Sequence, residues 1–292
     1  EIDPSNWNAY KSRGVANYNL KDFDEAISDY TKAIELNPNN ADIYVYRGLI
    51  KKELKDLSGA ISDYTKAIEL DPNNADAFNN RGRVKSDLKD FSGAINDLSK
   101  AIKISPENGI IYYNRGTAKS YLKEYTAAIL DYNKAIKFSP NNYDIYLNRG
   151  YVKHELKDYQ GAISDYTKAI ELNPSNAILY YKSGEAKVKV KDYLGAISDY
   201  NKAIEINKNY STYYISRAYS KRVIGDYQGG IDDLKKSIEV DSSPANSELA
   251  YTNLCLMNNE IKEFNMAIFY CNKALNLNNN SYSVFLNRSI SK

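Results

Sequence analysis

The sequence predicts an all-α fold, a solenoid built from antiparallel helix hairpins. Three observations carry this. One 34-residue pattern recurs along almost the whole chain, its apolar and small residues fall at helical spacing in two stretches per period, and a proline closes most periods. Aligning on Arg-Gly gives Arg13-Gly14, Arg47-Gly48, Arg81-Gly82, Arg115-Gly116 and Arg149-Gly150, each 34 residues from the last. Ser183-Gly184 and Arg217-Ala218 continue the series. Three extra residues then intervene near Asp241 to Ser247, before Leu254-Cys255 and Arg288-Ser289. Self-similarity at such a period marks a repeat architecture.

Numbered from Trp7, the repeats are 7–40, 41–74, 75–108, 109–142, 143–176, 177–210, 211–247 and 248–281, the seventh ending in an inserted loop. Residues 1–6 read as the tail of an earlier repeat and 282–292 as the first helix of a further one. Within each repeat, positions 4, 8, 11 and 14 form one helical stripe, and positions 17, 20, 21, 24, 27 and 28 form another. Position 4 is aromatic throughout: Tyr10, Tyr44, Phe78, Tyr112, Tyr146, Tyr180, Tyr214, Tyr251 and Phe285. Small residues at positions 8 and 20 let two helices approach, and bulky residues at 24, such as Tyr30, Tyr64 and Leu98, fill the space beside that contact. Proline at 32 (Pro38, Pro72, Pro106, Pro140, Pro174) stops the second helix. Asp22 and Glu25 are spaced as a capping box for the second helix of repeat one. Two helices of about 14 residues, each ~20 Å long, make a hairpin. One hairpin cannot bury both its faces, so neighbours must stack.

The pattern of aromatic 4, Gly 8, Ala 20, aromatic 24, Ala 27 and Pro 32 resembles the tetratricopeptide repeat. That resemblance implies a right-handed superhelical solenoid whose first helices line a concave groove. It also implies a protein–protein interaction scaffold that binds an extended peptide or helix of a partner there, and not an enzyme. Arginine at position 7 departs from the family's usual leucine. Asp29, Asp63, Asp97, Asp131, Asp165, Asp199 and Asp233 share position 23, and repeat eight loses both partners together, as Leu254 and Tyr270. This predicts an Arg–Asp pair across each hairpin. Repeat six, with Ser183 beside Asp199, breaks the rule.

Composition narrows the function. The formal net charge of +2 lacks the basic excess of a nucleic-acid binder. No stretch approaches the ~18 apolar residues of a membrane span. Two cysteines and one histidine support neither a disulfide framework nor a metal cluster. No phosphate loop or nucleophile–histidine arrangement is present, so neither a cofactor nor a catalytic residue is expected.

The family's groove positions (2, 5, 6, 9, 12 and 13) select the candidate site. Asn80, Asn114 and Asn148 stand at position 6 of consecutive repeats. They resemble the asparagine ladder in the superhelical arm of O-GlcNAc transferase, where amides grip a peptide backbone whatever its sequence. Tyr113, Tyr121, Tyr151, Tyr181 and Tyr219, with Leu147 between them, form an aromatic zone suited to binding. His154 adjoins it as a hydrogen-bonding group. The basic clamp by which chaperone adaptors of this family hold a C-terminal carboxylate is absent: no repeat has lysine at position 2 or arginine at position 6. Two other functions fit the repeats. One is the substrate-recruiting arm of a larger enzyme, such as a glycosyltransferase, and the other is a self-assembling structural array.

Three further expectations concern local structure. Cys255 and Cys271, at positions 8 and 24 of one hairpin, should face each other as two small buried thiols. Both ends cut through a repeat, which reads as a segment of a longer array able to associate end to end. The array should be weakest between repeats seven and eight, where Gly230 and Ser237 replace alanines and a longer loop follows.

Overall fold

The computed structural model describes residues 5–278 and Val284. Among them are sixteen α-helices and no strand, paired as eight hairpins. The chain divides into two compact units, Glu1–Asn141 and Asn142–Lys292. In the first unit the hairpins are α1 (Trp7–Asn19) with α2 (Phe23–Leu36), α3 (Ala41–Glu53) with α4 (Leu57–Leu70), α5 (Ala75–Asp87) with α6 (Phe91–Ile104), and α7 (Gly109–Tyr121) with α8 (Tyr125–Phe138). In the second they are α9 (Tyr143–Glu155) with α10 (Tyr159–Leu172), α11 (Ala177–Lys189) with α12 (Tyr193–Ile206), α13 (Ser211–Val223) with α14 (Tyr227–Val240), and α15 (Pro244–Glu260) with α16 (Phe264–Leu277). Inside each unit the second helix of one hairpin packs on the first helix of the next. Most of the tail expected at 1–6 and of the further helix expected at 282–292 lies outside the described residues.

The punctuation of each repeat is chemical. Six of the eight first helices begin at an asparagine cap, the exceptions being α13 at Tyr210 and α15 at Ser243: the side chain of Asn40 accepts from the N–H of Asp42 at 3.1 Å, and that of Asn74 accepts from Ala77 at 2.8 Å. They end with a residue in the left-handed region, which is lysine in seven repeats (Lys21, Lys55, Lys89, Lys123, Lys157, Lys191, Lys262) and Gly225 in repeat seven. This turn lets Asp56 N–H reach back to Lys51 O at 2.8 Å, a closing bond of the Schellman type. In all repeats but the fourth and eighth, which have Glu124 and Glu263 there, the following aspartate caps the second helix, as Asp56 does by accepting from Gly59 N–H at 2.9 Å. Of the capping box in repeat one, the bond from Glu25 N–H to Asp22 forms at 3.5 Å.

Packing explains the small positions. A methyl group built on Gly48 would come 2.7 Å from the ring of Tyr64, which is fully buried between the two helices. Alanines at positions 20 and 27 are likewise fully buried. Each second helix also meets the next repeat, as where Ala26, Tyr30 and Ala33 share a core with Ile43 and Ile50.

Arginine at position 7 is a structural hub. Arg81 lies parallel to the carboxylate of Asp97, with Nε and Nη2 each 2.8 Å from an oxygen. Its Nη1 donates to Thr65 Oγ1 of the preceding repeat at 3.0 Å, and its guanidinium carbon stands 5.7 Å from the centre of the Phe78 ring. A second cation completes the site: Lys85 Nζ is 2.7 Å from Asp97. Burial pushes the Asp97 carboxyl up, but the hydrogen bonds from Arg81 and Lys85 outweigh it and hold the group below its ordinary range. Repeat six keeps the aspartate because lysine suffices there, with Lys187 Nζ 2.7 Å from Asp199. In repeat eight Leu254 and Tyr270 replace the ion pair by buried apolar packing.

Two expectations are corrected. Cys255 and Cys271 are joined in a disulfide between α15 and α16, their Cα atoms 5.2 Å apart, where five of the other hairpins place glycine against a tyrosine ring. The other correction is the inserted loop expected between repeats seven and eight. The inserted residues are helical, since α15 starts at Pro244 and has 17 residues where other first helices have 13. Proline at the first helical position requires no N–H there. Asn246 Nδ2 fastens the start of α15 to the end of α14, donating to Ser237 O at 3.1 Å and Asp241 O at 2.6 Å. The Ser237 hydroxyl donates to Leu234 O at 2.8 Å. Gly230 faces Ala218, so the glycine and alanine of positions 8 and 20 have exchanged places, and the Met257 thioether fills the space beside Gly230.

Candidate functional site

First helices present their ends and one face to solvent, because second helices supply most of the buried small residues. In the first unit that face carries a run of hollows. The first lies among Val15, Tyr18, Tyr30, Tyr46 and Leu49, with a volume of about 230 Å³. A second, about 130 Å³, lies between α3 and α5 beside Asp42, Tyr46, Asp76 and Asn80. The largest, about 700 Å³, is enclosed by α3, α5, the start of α6 and α7.

The expected residues of this unit all line these hollows. Asn80 is 8% exposed and its amide makes no hydrogen bond among the described residues. Asn114 lines the largest hollow and donates from Nδ2 to Asn79 Oδ1 on the neighbouring first helix at 2.8 Å. Tyr113 and Tyr121 line the same space. Tyr121 is 66% exposed and stacks on Phe91, centroids 4.9 Å apart and planes 11° from parallel. Tyr113 lies tilted against Tyr132, whose hydroxyl donates to Thr117 at 3.3 Å.

In the second unit the expected residues divide. Tyr151 and Tyr219 are exposed. Tyr181 packs between Tyr200 and Tyr213 and donates from its hydroxyl to Glu185 at 2.8 Å. Burial, reinforced by Glu185, pushes its phenol up. Leu147 packs on Ala162, Tyr166 and Ala186. His154 meets the edge of Tyr159, with centroids 5.1 Å apart, and its Nε2 is buried without a partner among the described residues. Asn148 donates to Asp144 O of its own helix at 2.9 Å. The asparagines at position 6 are therefore not equivalent: one bridges repeats, one bonds its own helix and one faces a hollow.

Sequence reasoning passed over Lys52, Arg83, Lys89 and Phe91, which also line the largest hollow. Lys52 and Arg83 occupy positions 12 and 9, both among the groove positions, but they recur in no neighbouring repeat and so leave no periodic signal. Among the described residues no group of three or more His, Cys, Asp or Glu side chains could hold a metal ion. No described helix is long and apolar enough to cross a membrane.

Comparison with known proteins identifies the repeat. Family models described as tetratricopeptide repeats match residues 7–40, 143–176, 29–62 and 177–210, and one described as a TPR repeat matches 48–88, 82–120 and 121–157. No curated protein matches the sequence. Among solved structures, MamA is 28% identical over 58% of this chain and 92% of its own, with a TM-score of 0.53. YrrB, described as a TPR protein with an unusual peptide-binding site, is 24% identical over 66% of this chain and 97% of its own, with a TM-score of 0.55. The C-terminal part of a TPR repeat-containing protein from Cytophaga hutchinsonii superposes at a TM-score of 0.71, at 17% identity, over 82% of this chain and 97% of its own. With its repeats matched without a gap from residue 7 to residue 210, the chain belongs to the tetratricopeptide repeat family.

Proposed function

We propose that this chain is a scaffold that holds an extended peptide segment of a partner protein against its first helices, and that it catalyses no reaction itself. One observation carries the reading: in the first unit the hollows run along consecutive first helices, α1, α3, α5 and α7, and the largest combines exposed aromatic rings with a side-chain amide. Aromatic rings bury much area at low entropic cost, and an amide can pair with a backbone of any sequence. The exposed Tyr151 and Tyr219 of the second unit suit a contact of the same kind. YrrB, with its peptide-binding site on the same fold, supports the reading by likeness. A peptide selected by display on the intact chain tests it through hydrogen exchange. Added protection should concentrate on α3, α5 and α7. Protection confined to second helices would refute the reading.

A further inference from the structure

We propose that the hollow between α3, α5 and α7 recognises a peptide segment whose acidic side chains adjoin an aromatic or large apolar residue. This rests on the reading of the first-helix face as a peptide groove and adds the chemistry of the ligand.

The cations of the first unit fall into two kinds. Lys51 and Lys85 are consumed internally, 2.8 Å from Asp63 and 2.7 Å from Asp97. Lys52 and Arg83, at the rim of the hollow, are not. The nearest carboxylate to Lys52 is Asp87 at 4.0 Å, beyond hydrogen-bond reach, and that aspartate side chain is 53% exposed. The lysine side chain itself is only 17% exposed. Its ammonium is thus partly withdrawn from water without an anion in contact, and an incoming carboxylate would supply one. Arg83 is exposed and makes no ion pair or hydrogen bond among the described residues. The repeat does not demand arginine at this position, which is Val15, Leu49 and Thr117 in the other hairpins of the unit. A guanidinium offers parallel N–H groups matched to a carboxylate, so an unpaired one beside an ammonium whose nearest carboxylate stands 4.0 Å away makes an anion site. Lys89 adds a third positive charge to the lining, against the single negative charge of Asp87.

The rest of the wall fixes what lies beside the anion. The stacked rings of Phe91 and Tyr121 form an apolar shelf with one face of the pair in solvent. Asn114 spends one amide N–H on Asn79, which leaves its carbonyl oxygen to accept from a peptide N–H. At the opposite ends of α3 and α5, Asp42 and Asp76 line the smaller hollow. Like charge repels acid there, so the acidic side chains of the ligand face the C-terminal ends of these two helices.

Random peptides displayed against the intact chain test this, with Lys52→Glu/Arg83→Glu and Asn114→Ala/Tyr121→Ala as variants and circular dichroism as the check on folding. The expected outcome is enrichment of Asp or Glu next to an aromatic residue. A fluorescently labelled selected peptide should bind the charge-reversed variant about ten-fold more weakly or worse, and its Asp/Glu-to-Lys counterpart should bind that variant better than the wild type. If charge reversal unfolds the chain, Lys52→Gln/Arg83→Gln carries the same expectation. Neutral or basic selected peptides that lose affinity with Asn114→Ala/Tyr121→Ala would overturn the acidic ligand and leave the groove. Failure to select any peptide, or equal binding by every variant, would overturn both.

Discussion

Among the described residues Lys187 alone pairs with Asp199. Its Nζ lies 2.7 Å from the carboxylate, and the position that supplies arginine in six other repeats is Ser183. In repeat five the same aspartate position has two cations, Arg149 and Lys153, at 2.5 and 2.8 Å from Asp165. Removing one partner of a buried ion pair leaves a charge without compensation, at a cost of about 3–5 kcal/mol when nothing else replaces it. Lys187→Ala should therefore destabilise the second unit by more than Lys153→Ala. Chemical denaturation of the two variants decides this, and equal losses would show that the arginine contributes nothing to holding the aspartate.

The left-handed lysines make a second prediction. Lys157 has φ 64°, a conformation that costs an L-residue ~1–2 kcal/mol and glycine almost nothing. Gly225 holds the equivalent place in repeat seven at φ 85°, with no atom near its would-be Cβ. Lys157→Gly should stabilise by up to about 1 kcal/mol after the extra entropy of glycine in the unfolded chain is offset. Gly225→Ala should destabilise by a similar amount. Opposite signs in thermal melts would contradict the account of this turn.

Buried phenols at position 24 differ in what their hydroxyls meet. The Tyr64 hydroxyl is buried without a partner among the described residues, while that of Tyr132 donates to Thr117 at 3.3 Å. Replacing an unpaired buried hydroxyl by hydrogen removes a desolvated polar group, whereas breaking a hydrogen bond costs about 0.5–1.5 kcal/mol. Tyr64→Phe should be neutral or stabilising and Tyr132→Phe destabilising. The reverse order in denaturation midpoints would refute this.

The same phenols set a high-pH limit. Burial, with help from Tyr46, pushes Tyr30 up to about 12, and burial also raises Tyr64, Tyr132, Tyr166 and Tyr200. An unfolded tyrosine ionises near pH ~10. Since the folded values are raised, their contribution is complete below that pH and is lost as pH rises through the folded values. Helicity by circular dichroism should hold to about pH 10 and fall steeply above it, together with a late rise in tyrosinate absorbance. Retained helicity after all the phenols have ionised would contradict the burial argument.

How far the sequence could be read follows from what repeats. The hairpins and the Arg–Asp pairs were legible because each recurs at 34 residues, and recurrence separates a structural role from chance. The lysine at position 11 recurs too, at Lys51, Lys85, Lys119, Lys153, Lys187 and Lys221, and it explains why repeat six keeps its aspartate. The compensation at Gly230 was illegible, since the exchange with Ala218 and the filling by Met257 need the packed structure. A loop-like string, Asp241-Ser242-Ser243-Pro244, hid a helix start because proline and serine favour first turns as well as loops. At the site, Tyr113, Tyr121 and Asn114 followed from register, while Lys52 and Arg83 matter because they break it.

The central claim is that a partner peptide lies on the first-helix face between α5 and α7. Calorimetry with one peptide selected on the intact chain tests it most directly, using Asn114→Ala/Tyr121→Ala and, as a control on a second helix, Leu130→Ala, a residue 63% exposed on α8. The groove variant should lose about ten-fold in affinity or more, as expected for truncating a central aromatic anchor and its amide, with helicity unchanged, while the control binds as the wild type does. Unchanged affinity in the groove variant, or loss in the control instead, would contradict it.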